Sequence, residues 1–214
     1  MRKILVFLLA MVAMSLAFGA QNKRFDEGIE YQLINPPQPT TNPAKVEVVE
    51  LFWYGCPHCF VFEPHLNAWL ERKPANVEFI RIPATLNPGW AIHARAYYTA
   101  EVLGVLDKIH EPLFHAMHVQ KRRLNNEAEL AAFFAAQGVS EEDFRKTFNS
   151  FAVETKLRRA AGLVQRYGVS GVPAVVINGK YRTDGSLAGS YENLLQVMDY
   201  LIQKESAQVT QDKR

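Results

Sequence analysis

The chain holds only two cysteines in 214 residues, and they stand two apart, as Cys56-Pro57-His58-Cys59. So few excludes a disulfide-stapled scaffold, and so short a loop removes little entropy from the unfolded chain. It also excludes a structural zinc site built on cysteine alone. His115 and His118 lie at helical spacing, but they read as surface or packing residues, and neither a metal nor another cofactor is expected. An excess of one charge is missing too, with 24 Lys and Arg against 22 Asp and Glu. The first twenty residues carry Arg2 and Lys3 and no acid, so the remainder balances at 22 against 22. A chain without net charge lacks the basic face of nucleic-acid binders, and no nucleic-acid partner is expected. Its one basic run, Lys121-Arg122-Arg123, reads as a solvated helix end or loop. Internal repeats and low-complexity segments are absent. Beyond the N-terminus no apolar run is long enough to span a bilayer.

What is present starts with an export pattern. Arg2 and Lys3 precede an apolar stretch from Ile4 to Ala13, and Ala17-Phe18-Gly19-Ala20 offers small residues for cleavage after Gly19 or Ala20. This reads as a signal peptide over 1–20. An uncleaved anchor is the alternative, because Ile4 to Ala20 is nearly all apolar. Export places the cysteine pair in an oxidising compartment, where disulfides persist. About 194 residues then remain, enough for one domain, or one domain with a large insertion.

Val46 to Phe52 is apolar on both faces and reads as a buried central strand. Phe60 to Leu70 reads as a helix, with Pro57 at its first turn and Pro64 predicted to kink it. Val77 to Ile82 is a second strand, giving a β-α-β unit with parallel strands. A CxxC between strand and helix is a redox signature. Five helical patterns follow, at Ala91–Leu103, Lys108–His118, Glu127–Gln137, Glu141–Phe148 and Phe151–Tyr167. Ser140 with Asp143 resembles a capping box. Strand chemistry returns at Pro173–Ile177, Asn178-Gly179 signals a tight hairpin, and Lys180–Thr183 is the return strand. A last helix runs from Tyr191 to about Lys204. Residues 21–30 and the tail from Glu205 read as polar and loose. The spacing therefore predicts an α/β fold in the order β-α-β, helical block, β-β-α. Its parts are 21–85, an all-helical insertion at 86–167, the second part at 168–205, and a tail at 206–214.

Three features together resemble the DsbA family of periplasmic thiol:disulfide oxidases. They are Cys56-Pro57-His58-Cys59 after a strand, Gly171-Val172-Pro173 before a hairpin, and the helical block between them. The resemblance covers roughly residues 45–204 and implies a thioredoxin-like fold with an inserted helical domain. It also implies a cis bond between Val172 and Pro173, facing the CxxC, with the backbone before the proline pairing to an extended substrate. The family's acidic residue beneath the CxxC falls on Glu50. The resemblance further implies unfolded or reduced exported proteins as partners, a DsbB-like quinone-linked membrane reoxidant, and a periplasmic location. Unlike some members, this chain has no second disulfide. A monomer is expected.

The residue types fit that chemistry. Exchange needs a thiolate, and an ordinary cysteine with a pKa of about 8.5 is mostly protonated at neutral pH. Cys56 at a helix start meets unpaired N–H groups and the positive end of the dipole, and His58 adds a hydrogen bond or charge. A thiolate exists only in the reduced protein, so stabilising it makes the disulfide an oxidant. Cys56 is thus the expected attacked and attacking residue, and Cys59 the buried partner. Glu50, in phase with Val46 and Val48, is either a mover of the Cys59 proton or half of a structural pair with Arg81. One or more of Phe52, Trp53 and Tyr54 should be core. Two other classes stay open: a disulfide isomerase or reductase of the same fold, and a chaperone-like binder of unfolded chains. The known periplasmic isomerases add a dimerisation domain, for which the N-terminal segment leaves no room.

Overall fold

The structure, a computed structural model, describes residues 24–211. The signal pattern at 1–20 and residues 212–214 lie outside the described residues. Five strands form one sheet in the order β1-β5-β4-β2-β3. They are β1 (Gln32–Leu33), β2 (Val46–Phe52), β3 (Val77–Pro83), β4 (Ala174–Ile177) and β5 (Tyr181–Asp184). Every residue of β2 is buried, as befits a strand with neighbours on both edges and helices on both faces. It pairs in parallel with β3, Glu50 opposite Arg81, and antiparallel with β4, Leu51 opposite Ala174. The β4–β5 hairpin turns at Asn178 and Gly179, both left-handed with φ of 52° and 63°. Such a turn favours Asn-Gly, and a Cβ on Gly179 would strike the Gln38 carbonyl.

The helices divide the protein into two packed layers around the sheet. On one face, α1 (Pro57–Arg72) and the last helix, α8 (Tyr191–Gln211), bury Phe62, Leu66, Trp69, Leu194 and Leu201 against Val48 and Val175. The other face, through Val49, Leu51 and Val176, joins the core of the helical block. That block runs α2 (Pro88–Val102), α3 (Leu106–His118), α4 (Glu127–Ala136), α5 (Glu141–Phe148) and α6 (Phe151–Arg166), and a short α7 (Gly185–Ala188) follows β5. Asn126, Ser140 and Ser150 cap α4, α5 and α6 through side-chain oxygens, satisfying N–H groups that a helix start leaves unpaired. At Ser140 the hydroxyl accepts from the Asp143 N–H and donates to the Asp143 carboxylate. The shorter acid therefore takes the hydroxyl rather than the N-cap N–H that a Glu would reach.

The helix through the CxxC runs over Pro57–Arg72 with Pro64 inside it. Two expectations need correcting. The last helix continues past Lys204 to Gln211. Glu205 is buried, and its carboxylate accepts from Lys180 Nζ at 2.7 Å, which ties the tail to the hairpin. Residues 24–30 are not loose. Phe25 is buried against the Tyr200 ring at 5.6 Å, and Glu27 bridges Tyr31. In each case a contact far along the chain overrides a polar local composition. Among the described residues no helix is long and apolar enough to cross a membrane.

Candidate redox site

β2 ends at Phe52, and the chain turns through Trp53, Tyr54 and Gly55 into α1. Cys56 is the N-cap residue of α1, with extended backbone, and Pro57 fills the first helical position. The turn closes with Cys56 N–H donating to the Trp53 carbonyl at 2.9 Å, and the helix opens with Phe60 N–H donating to the Cys56 carbonyl at 3.1 Å. Only 7% of Cys56 is exposed, and none of Cys59, one turn inside. Both thiols are free.

The two sulfurs are driven apart electrostatically. The hydrogen bond from the Cys59 thiol, then backbone N–H groups of Cys59 and His58 and the His58 charge, outweigh partial burial and bring Cys56 down to about 6. Cys59 moves the other way. Burial, its hydrogen bond to Cys56, and the charges of Cys56 and Glu50 push it far above the thiol range. Environment thus separates two identical groups into a thiolate and a thiol.

The opposite wall comes from more than a hundred residues away. The Val172–Pro173 bond is cis, and Cys56 Sγ lies 3.4 Å from the Val172 carbonyl oxygen. Pro173 is buried and leads into β4. His58 is exposed, and its carbonyl accepts from Tyr191 Oη at 3.0 Å. His58, Gly171, Val172, Pro173 and Tyr191 line a cleft of about 490 Å³ whose rim includes Asp184 and Glu192.

Beneath the pair lies a buried charge cluster. Glu50 is fully buried, and its Oε2 accepts from Arg81 Nε at 2.9 Å. Burial and the nearby Glu63 charge raise Glu50 to about 8, against the pull of Arg81. Glu63 also feels burial, but hydrogen bonding and charge from His110 and Arg81 overcome it and hold the carboxyl below its ordinary value. Arg81 thus sits between an acid pushed up by burial and an acid held down by its partners. Among the described residues the Glu50 Oε1 has no hydrogen-bond partner.

Five of the seven expected residues converge here: Cys56, Pro57, Cys59, Val172 and Pro173. His58 lies on the rim, and Glu50 lies below, where its charge acts on Cys59. Phe52 and Tyr54 are core, whereas Trp53 is only partly buried. Sequence reasoning missed the insertion's contribution. His110 Nδ1 meets Tyr54 Oη at 2.8 Å, and His118 stacks on Phe60 and donates from Nε2 to the Tyr54 carbonyl at 2.7 Å. Their pairing residues lie 56 and 64 positions away, a distance no local pattern records. Among the described residues no three His, Cys, Asp or Glu side chains converge to hold a metal ion.

Residues 47–198 match the family described as DSBA-like thioredoxin domain. The thiol:disulfide interchange protein DsbA of Pseudomonas aeruginosa PAO1 is 44% identical over 204 residues, which is 94% of this chain and 97% of that protein. Its crystal structure superimposes with a TM-score of 0.83 at 44% identity, covering 87% of this chain and 97% of that one. A complex of Proteus mirabilis DsbA with a non-covalently bound peptide gives a TM-score of 0.71 at 27% identity, covering 85% and 100%.

Proposed function

Because the chain belongs to the DsbA-like thioredoxin-domain family and is a thiol:disulfide oxidoreductase, we propose that Cys56–Cys59 oxidises exported polypeptides through a mixed disulfide at Cys56. The observation that carries this is the contrast between the sulfurs, Cys56 held near 6 and Cys59 held protonated. A client thiolate attacks the Cys56 sulfur of the oxidised pair. The Cys56–Cys59 bond breaks, a client–Cys56 bond forms, and Cys59 leaves and takes up a proton. A second client thiolate attacks the client sulfur, and Cys56 departs as the thiolate that the helix start favours. The client loses two electrons, and the protein gains them.

The other residues support these steps. Glu50, near 8 and with its own Oε1 unpartnered among the described residues, is suited to carry the Cys59 proton; a group titrating close to the working pH does this best. The Val172 backbone beside Cys56 offers an edge to an extended client, as an added strand would use, and Pro173 withholds a further N–H from the sulfur. His58 helps hold the thiolate. The segment at 1–20 delivers the chain to the periplasm, where it works as a monomer, and a DsbB-like quinone-linked membrane protein restores the disulfide. The helices within 86–167 act as an insertion that roofs the site.

The test is the redox potential of the Cys56–Cys59 couple against glutathione. A value well above the roughly −270 mV of thioredoxin is expected, and a value near that figure would reverse the direction of the reaction.

A further inference from the structure

A second groove opens on the helical side of Cys56, of about 700 Å³, lined by Gly55, Pro57, Trp53 and Trp90, with Lys121, Arg122 and Arg123 along its edge. Its floor is a stacked pair, the Trp53 and Trp90 rings 4.4 Å apart and 6° from parallel. Trp53 Nε1 donates to His93 Nδ1 at 2.9 Å, and His93 Nε2 lies 3.1 Å from the Leu124 carbonyl. A carbonyl only accepts, so Nε2 carries the proton and Nδ1 takes the indole's; both ends of the ring are committed. Burial keeps this histidine neutral. Gly55 leaves the space that the Trp53 ring occupies, since a Cβ there would collide with it. The floor is therefore rigid and tied through His93 to the loop that carries the basic run.

That loop is specifically shaped. Lys121 and Leu124 both adopt left-handed backbone, φ 59° and 49°, which costs a residue with a branched or long side chain. Arg122 N–H donates to the Ala116 carbonyl at 3.0 Å, and its guanidinium lies 5.7 Å from the Phe133 ring. Lys121, Arg122 and Arg123 are exposed. No Asp or Glu lines the groove. The cleft on the opposite side of Cys56 has the reverse character, with Asp184 and Glu192 in its lining and no Lys or Arg. A segment crossing Cys56 thus runs from a negative flank to a positive one.

We infer that this groove is a specificity element: it selects client segments that carry acidic side chains on one flank of the reacting cysteine, with an apolar side chain on the Trp53–Trp90 floor. The inference rests on the oxidase reading above and adds a client chemistry to it. Apolar contact sets the segment down, and the exposed cations steer and orient it, an effect that acts on rate and fades with salt.

The experiment uses the oxidised full-length protein and dithiol peptides identical except for two residues beside the reacting cysteine: Asp-Asp, Asn-Asn or Lys-Lys, placed on either flank. The second-order rate of disulfide transfer is read at low and high ionic strength. The Asp-Asp peptide should outrun the Lys-Lys peptide by at least about fivefold at low salt, on one flank only. The ratio should fall towards one near 1 M salt, where screening acts within about 3 Å. In Lys121→Gln/Arg123→Gln the ratio should approach one, and in Lys121→Glu/Arg123→Glu it should invert. Equal rates for the charged peptides, or a preference identical on both flanks or unchanged in the variants, overturns the groove's role while leaving the oxidase reading intact. Failure to oxidise even the Asn-Asn peptide overturns both.

Discussion

Cys56 and Glu50 are both displaced acids, but in opposite directions, and the sign decides what each does to stability. Cys56 is depressed to about 6. Its thiolate therefore stabilises the folded dithiol fully above the ordinary thiol pKa, and that contribution is lost as pH falls through 6. It is worth about 1 kcal/mol at pH 7, or roughly 20 mV for two electrons. The reduced protein should thus be favoured over the oxidised one at pH 7–8, with the thiolate's share of that difference gone below pH 5. Ultraviolet thiolate absorbance and parallel denaturation of both forms measure this, and a Cys56 midpoint at or above 8 defeats it. Glu50 is raised to about 8. A raised acid favours folding most below its unfolded pKa near 4.5 and progressively less up to 8. Its cost at pH 7 is on the order of a few kcal/mol. Glu50→Gln should therefore gain in melting temperature between pH 6 and 8, with the gain vanishing near pH 4.5, while exchange at Cys59 slows. Stopped-flow kinetics of the first step, in which Cys59 leaves and takes up its proton, would show no change if Glu50 were only a neighbour of Arg81.

At the scale of elements, the site depends on α1 being held at one height above the sheet. Leu66 and Trp69 fix its lower half against α8 and β2, and Leu201 fills the space from the α8 side. Leu201→Ala should cost about 2–5 kcal/mol, the usual range for a buried leucine. Urea unfolding reads that loss, and the Cys56 pKa should stay in place because the helix start lies at the far end of α1. The two termini illustrate what local composition conceals. Residues 205–211 look like a polar tail, yet Glu205 is buried under Lys180 and Asn178. Strands and helices with strong periodicity, such as β2 and the five helices of the block, were legible because one repeating pattern decides them. The Glu205 anchor and the Phe25–Tyr200 contact were not, since each joins positions that no window of sequence spans.

At the scale of the whole molecule, the site is an assembly of three distant pieces: the start of α1, the turn before β4, and α3 from the helical block. The first two could be read from short motifs, Cys-Pro-His-Cys and Gly-Val-Pro, because their chemistry requires particular residues. The third carries His110 and His118, ordinary helix residues whose role arises only from the packing of α3 over Tyr54. Cys56→Ser separates chemistry from binding at this scale. It should abolish oxidation of reduced clients while leaving the cleft beside Pro173 and the fold intact, as circular dichroism and peptide binding would record. Undiminished protection of unfolded chains from aggregation in that variant, with no oxidative activity in the parent, would instead mark a chaperone-like binder.

The Val172 carbonyl that meets Cys56 lies 116 residues further along the chain. During synthesis at about 5–20 residues per second, that interval is roughly 6–23 s. For that time the cysteine pair exists without its facing wall, and β2 lacks the β4 partner that lies between it and β5. An emerging chain therefore holds the Cys56 helix start before the wall that faces it. A chain terminated before Gly171 would keep the cysteine pair but lack the Val172–Pro173 side of the cleft.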